Sequence, residues 1–497
     1  MGTVLFENLQ AESSFCCFLK YNIGMKEGRG IKLWAVAVWL IVWEVAARLL
    51  NKEIFLVSPI KAVSRFAELA ITGNFWFSVL GSFGRIAVGF LLAVAAGVIL
   101  AALSAKYKRV RELFGPVMLA IRTVPIASFI ILALICFSSK YLAILISFMI
   151  VLPTIYENVF TGIEETDKSI LEMGKAFNVS GSKIRRYIYW PEVYPYFRSA
   201  CKTAVGMAWK AGVAAEVIGA PKGSIGAMLH QAKIYLETAD LLAWTIGIVL
   251  LSLFMEKILL LILTGVNSSF RKLPATGGTR TADAKIATDI TLKNISKAYY
   301  GQQVLKNINF VFPGGAISAI RGLSGAGKTT LMRIIAGIEK PDEGTIDYTA
   351  ASSVETARKS ANEAVKYSAP PRVAVVFQED RLLDYMTAEE NIRFANENLG
   401  AGEVSLAMKA VGLNESTKPV GEYSGGMKRR VAILRALLAL GGNTILLLDE
   451  AFKGLDAETK KLTMDFIKER ADGATVILVT HDRDEADAMG TEHFLYL

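Results

Sequence analysis

The stretch that decides the fold is "AISAIRGLSGAGKTTLMRIIAG", residues 316–337. Its first part is short and apolar like a strand, and its end is periodic like a helix. Between them "GLSGAGKTT" (Gly322–Thr330) fits the pattern G-x-x-x-x-G-K-[ST]. Glycines in such a turn let backbone N–H groups converge on phosphate oxygens. A lysine adds charge at the terminal phosphates, and the following hydroxyl can ligate Mg²⁺. A strand before the loop and a helix after it give Gly322, Ser324, Gly325, Gly327, Lys328, Thr329 and Thr330 the context of a nucleotide-binding turn.

Downstream, "TILLLDE" (444–450) delivers Asp449 and Glu450 to the C-terminal end of a buried strand, where ligands of parallel sheets gather. Alone, a strand running into an acidic turn would be unremarkable. Paired with the glycine loop, it places Asp449 in a metal shell and Glu450 beside an attacking water. Strand-like segments 290–300, 372–378, 443–450 and 474–480 alternate with helical stretches 328–337, 425–441 and 456–471, so residues 289–497 read as a P-loop α/β domain.

The rest of the chain differs in kind. Of 497 residues 53% are apolar, and the mean hydropathy is +0.38. Six apolar runs, at 32–50, 85–105, 113–137, 141–160, 196–220 and 241–263, are each near the ~20 residues that cross a bilayer. Lys and Arg in the short connections favour one side by fifteen to six, which puts both termini in the cytoplasm. Most of the net charge of +9 follows from that topology, and nucleic acid is not needed to explain it. The four cysteines, Cys16, Cys17, Cys136 and Cys201, form neither a disulfide framework nor a zinc pattern. The expected organisation is a tail (1–31), a membrane domain (32–264) with a cytoplasmic loop at 164–192, a Gly/Thr-rich linker (265–288) and the α/β domain. The first thirty residues lack the compact apolar core and small-residue cleavage site expected of a signal peptide, and "MKEGRGIKLW" at Met25 reads as an alternative start.

Five further matches complete a set in the soluble half. "YSGGM" puts Ser424, Gly425 and Gly426 at a helix start, able to offer free N–H groups to an anion. Tyr299 lies in "KAYYG", Gln378 in "VVFQED", Asp456 in "GLDAET" and His481 in "VTHD". In this order the motifs resemble the ATPase of ABC transporters. The resemblance implies ATP and Mg²⁺ as cofactors, with Tyr299 stacking on adenine and Tyr300 as its substitute. Thr329, Gln378 and Asp449 would hold the metal, Glu450 would polarise water, and His481 would meet the γ-phosphate. It also implies that two copies close head to tail, each ATP lying between Lys328 of one and Ser424 of the other, with Asp456 at the same interface. The signature departs from the common LSGGQ while keeping Ser-Gly-Gly.

"LEMGKAFNVSGSKIRRYIYWPEVYP" (171–195) separates two apolar runs. Its spacing from Glu172 through Asn178 to Pro191 is similar to the cytoplasmic coupling loop of ABC importers, with Asn178 at the family's turn glycine. The positive-inside rule explains Lys183, Arg185 and Arg186, but not that spacing. Residues 187–220 and 377–392 look like nitrate/sulfonate/taurine-type importers, the permease and ATPase being fused here. The resemblance therefore implies a type I importer in the cytoplasmic (inner) membrane, working as a homodimer with an extracytoplasmic binding protein. Sulfonates, nitrate and vitamin-precursor compounds all fit as small solutes. An exporter half-transporter and a non-transporting regulatory ATPase are the alternatives. Lys210, an ionisable group within a span, is a candidate for the solute path.

Overall fold

The computed structural model describes residues 32–50, 52, 54–271, 286–350, 371–414 and 417–497. The tail at 1–31 and most of the linker lie outside them. The chain divides into two compact units, one drawn from Met1–Glu164 and Tyr194–Val266, the other from Glu165–Val193 and Asn267–Leu497. The loop expected at 164–192 thus belongs, by its contacts, with the α/β unit.

The first unit is helical. Its elements are α1 (Leu33–Leu50), α2 (Pro59–Ala70), α3 (Gly73–Lys106), α4 (Lys108–Thr123), α5 (Ile126–Cys136) and α6 (Ser139–Glu164). After the intervening loop come α8 (Trp190–Gly219), α9 (Ile225–Ile234) and α10 (Thr238–Arg271). Among the described residues, α3, α6 and α10 are long and apolar enough to cross a membrane. The run at 113–137, expected as a span, consists of α4 and α5, bent by 105° where they meet. The cause is Pro125, which lacks an N–H and pushes Val124 to an extended ψ of 131°. α1 and α8 occupy the other two expected positions, and α8 carries Lys202, Lys210 and Glu216. α10 continues to Arg271, past the boundary expected at 264, because no proline interrupts it before Pro274.

Small residues let these helices approach. A Cβ on Gly97 of α3 would lie 2.9 Å from Ile155 of α6, and one on Gly212 of α8 would lie 2.5 Å from Ile86. Between α3, α8 and the turn before α9 lies one fully buried carboxylate. Glu216 accepts hydrogen bonds from Ser82 Oγ at 2.5 Å and Arg85 Nε at 2.8 Å. Arg85 also donates to the Gly223 carbonyl at 3.0 Å, and Ser82 Oγ accepts from the Ile225 N–H at 2.9 Å. Glu216 is thus a structural clasp.

In the second unit, β1 (Thr288–Tyr299), β2 (Gln302–Phe312) and β4 (Glu343–Ala350) form an antiparallel sheet in the order β2-β1-β4. A five-stranded parallel sheet has the order β5-β6-β7-β3-β8, from β3 (Ile317–Arg321), β5 (Arg372–Val376), β6 (Thr444–Asp449), β7 (Val476–Val479) and β8 (His493–Tyr496). Every residue of β6 is buried, as its unbroken apolar run requires of a central parallel strand. The helices are α7 (Lys168–Ala176) from the loop segment, α11 (Lys328–Ile335), α12 (Ala388–Ala395), α13 (Ala401–Ala410), α14 (Gly425–Leu437), α15 (Ala457–Ala471) and α16 (Arg483–Met489).

Substituting Glu216→Ala strands the Arg85 guanidinium among apolar helices and should cost about 3–5 kcal/mol. The expected result is a clear drop in the detergent-solubilised thermal midpoint with nucleotide affinity unchanged. An unchanged midpoint would show that the clasp does not hold the helices.

Candidate nucleotide site and its coupling segment

The C-terminal ends of the parallel strands bring most of the expected residues together. β3 runs into the loop Gly322–Gly327, and α11 starts at Lys328. Gly325 and Gly327 have φ of 85° and 92°, the left-handed region that glycine enters without penalty. Space at Gly327 is also closed, since an added Cβ would lie 2.7 Å from Leu305 and 3.0 Å from Val304. Lys328 Nζ donates to the carbonyls of Gly322 at 2.9 Å and Leu323 at 2.8 Å, folding its charge over the loop.

Asp449, at the end of β6, is only 4% exposed. Burial, then the neighbouring Glu450 charge, push its carboxyl up to about 6, against the pull of the Thr329 hydroxyl, Arg429 and Lys328. Glu450 follows with φ of 46°, unusual for a side chain with a Cβ, while its N–H is held by the Val479 carbonyl at 2.9 Å. Around its carboxylate converge Gln378 Nε2 at 3.4 Å, Lys453 Nζ at 3.5 Å and His481 Nδ1 at 3.8 Å. Tyr299 reaches the same region, with its hydroxyl 2.5 Å from Glu339 Oε1 and beside Thr330. Tyr300 is fully exposed in the turn that follows.

The signature lies elsewhere in the unit. Ser424 caps α14, its hydroxyl accepting from the Met427 N–H at 3.4 Å, and Gly425 faces open space. Asp456 caps α15, accepting from the Thr459 N–H at 3.0 Å. Among the described residues no hydrogen bond joins Ser424 or Asp456 to residues 322–330.

Residues 305–453 match the family described as ABC transporter, and residues 93–272 match the binding-protein-dependent transport system inner membrane component. The aliphatic sulfonates import ATP-binding protein SsuB 2 of Pseudomonas syringae pv. tomato is 38% identical over 194 residues, 38% of this chain and 74% of that protein. This chain belongs to the ABC transporter family. The sulfate/thiosulfate import ATP-binding protein CysA of Thermosynechococcus vestitus is 32% identical over 206 residues, 40% of this chain and 58% of that protein. The spermidine/putrescine import ATP-binding protein PotA of Fusobacterium nucleatum is 36% identical over 211 residues, and the chain spans 52% of its length. The α/β unit is thus the ATP-binding cassette of an ABC transporter, and the helical unit belongs to its membrane component.

The segment Glu165–Val193 of this ABC chain is built into the cassette's own core. α7 is capped by Asp167 at its start and ends at Asn178, whose φ of 56° makes the left-handed stop. There the Val179 N–H reaches the Gly174 carbonyl and the Asn178 N–H reaches Lys175, both at 2.9 Å. Met173, Tyr187 and Ile188 are buried among cassette side chains, and Tyr385 donates to the Tyr187 carbonyl at 2.5 Å. Pro191 is the second residue of α8, which follows the π-helical turn Ile184–Tyr189 without a break.

Glu172 is the polar anchor. Its carboxylate takes two bonds from Arg333, at 2.7 and 3.1 Å, and one from Arg381 at 3.1 Å. Burial opposes its charge, but the hydrogen bonds and charges of the two arginines outweigh it and hold its pKa below the ordinary value. Arg333 lies on α11 directly after the phosphate loop, and Arg381 lies three residues beyond Gln378. A cavity of about 450 Å³ opens between Thr329, Gln378 and Asp449 and these two arginines. Neither arginine has a motif to mark it, so sequence reasoning missed both.

A Gly327→Ala variant meets a wrong φ and a closed space together. It should weaken binding of a fluorescent ATP analogue at least tenfold; an unchanged dissociation constant would remove this loop from the site.

Proposed function

We propose that this chain is one half of an ATP-driven importer, working as a homodimer in the inner membrane with both termini cytoplasmic. The observation that carries it is Glu172 held by Arg333 and Arg381. A segment lying between membrane helices in sequence ends on the phosphate-loop helix and on the Gln378 loop. Movement at either place therefore bears on the coupling residues Glu172, Asn178 and Pro191.

Glu450 is the general base. Its carboxylate lies at a strand end, loosely met by Gln378, Lys453 and His481 at 3.4–3.8 Å, so it can take a proton from the attacking water while His481 contacts the γ-phosphate. Asp449 is a buried carboxylate beside the Thr329 hydroxyl, and the pull of Arg429 and Lys328 does not offset its burial, which fits a hard cation with oxygen ligands. Thr329, Asp449 and the Gln378 side-chain oxygen would hold Mg²⁺, which supplies charge neutralisation at the phosphates. Gly322, Ser324, Gly325, Gly327, Lys328 and Thr330 cradle the phosphates, and Tyr299 stacks on adenine. Ser424, Gly425, Gly426 and Asp456, distant from this loop's hydrogen bonds, serve the nucleotide of the second copy.

The solute is small and anionic, of the sulfonate, sulfate or nitrate kind, and is delivered by an extracytoplasmic binding protein. Lys210 supports this. It is exposed on α8, and among the described residues that helix exposes no large apolar side chain between Tyr196 and Ile218. By contrast α3 exposes Leu80, Leu91, Leu92 and Ile99, as a lipid-facing helix does. An ammonium in mid-span is costly in lipid, so this face suits a second copy and an aqueous anion path.

Glu450→Gln should bind ATP normally and lose turnover at least a hundredfold; hydrolysis at the wild-type rate would take Glu450 out of its role. Glu172→Ala should lower solute uptake by vesicles at least fivefold while ATP affinity stays within twofold, and equal losses of both would undo the coupling assignment. Mass spectrometry of spent medium, comparing wild type with Glu450→Gln, tests the direction. A compound depleted by wild type alone establishes import, and one accumulating outside with wild type alone makes the protein an exporter.

A further inference from the structure

Two arginines of the signature helix are buried in the cassette. Arg435 is fully buried; it donates to the carbonyls of Arg381 at 2.7 Å and Asp380 at 3.0 Å, with its guanidinium 5.3 Å from the Phe177 ring. Arg429, only 3% exposed, does more. Its Nε donates to the Ala451 carbonyl at 2.9 Å. One terminal nitrogen donates to the carbonyls of Phe377 at 2.6 Å and Gln378 at 3.2 Å, and to Asp380 Oδ1 at 3.0 Å. The other donates to the carbonyls of Asp449 at 2.9 Å and Glu450 at 2.7 Å.

One planar group therefore fixes the backbone of Gln378 against the backbone of Glu450. The side chains of those residues meet at 3.4 Å, and Glu450 is held at an unfavourable positive φ. Lysine could not reproduce this, since three donors on one nitrogen cannot serve five carbonyls and a carboxylate along two edges of a plane. Arg429 also lies five residues after Ser424 on one rigid helix, so the position of the signature is transmitted to the base of the same copy.

We propose that Arg429 is a positioning residue for ATP hydrolysis: it sets Glu450 and Gln378 in register with each other and with the signature helix. This rests on Glu450 acting as the general base. No sequence motif assigns Arg429 such a role, and it touches neither the phosphate loop nor the coupling segment among the hydrogen bonds of the described residues.

The test uses the full-length protein in lipid nanodiscs. Arg429→Lys keeps the charge and removes the fork; Arg429→Gln, neutral and two-donor, is the second variant. Expected for Arg429→Lys is a kcat for ATP at least tenfold lower, with KM and the affinity for a fluorescent ATP analogue within twofold of wild type. Adding Gln378→Ala should then lower kcat by less than twofold, although it has a larger effect in the wild-type background, because the two residues act as a unit. Full additivity with Gln378→Ala would overturn the proposal, as would wild-type kcat in Arg429→Lys. Loss of analogue binding in both variants would make Arg429 a scaffold residue and overturn it too. Wild-type protein that does not hydrolyse ATP at all would overturn the general-base reading, and this proposal with it.

Discussion

A carboxylate between two guanidiniums ties the segment Glu165–Val193 to the cassette. Glu172 and its partners are partly buried, with Glu172 26% and Arg381 12% exposed. At that depth the pair exceeds the roughly 0–1 kcal/mol of an open surface ion pair, yet avoids the full desolvation cost of a core pair. Its importance lies in direction. Arg333 is on the helix that follows the phosphate loop, and Arg381 is on the chain that follows Gln378, stacked 3.9 Å over Phe377. One side chain thus touches both routes to the nucleotide. Apolar burial of Met173, Tyr187 and Ile188 fixes where the segment lies, and Glu172 fixes what it reports to.

Of the eight non-glycine residues at positive φ among the described residues, three belong to the coupling segment, the chain after Gln378 and the end of β6. Arg381, Glu450 and Asn178 all take positive φ, and each is held by hydrogen bonds around it. Asn178 has its helix-stop bonds, Arg381 has its carbonyl on Arg435, and Glu450 is clamped by Val479 and Arg429. Such conformations cost about 1–3 kcal/mol each and persist only when surroundings over-determine them. The two buried arginines of α14 supply most of that constraint. Burial lowers the Arg435 pKa to about 9, which still leaves it charged at neutral pH and able to donate.

The membrane component meets a different constraint. No water competes there, so polar groups must find each other or face a cavity. Glu216 takes the first course with Ser82 and Arg85, whereas Lys210, six residues earlier on the same helix, is exposed. Spacing alone does not reveal that difference.

The sequence by itself determined the order of elements and the chemistry of the nucleotide turn. Gly322–Thr330, the buried run ending at Asp449 and the helix cap at Ser424 are local patterns, and local physics settles them. It also made Asn178 a credible left-handed stop. Tertiary structure alone decided the bend at Val124–Pro125, the partners of Glu216 and the partners of Glu172. Arg333, Arg381, Arg429 and Arg435 carry no motif, because a guanidinium's function depends on which carbonyls and carboxylates folding brings within 3 Å. Short strands such as β8 were equally silent, since their pairing with β3 depends on contacts distant in sequence. Periodicity and spacing record what neighbours along the chain must do, and long-range hydrogen bonds record what only the packed molecule can choose.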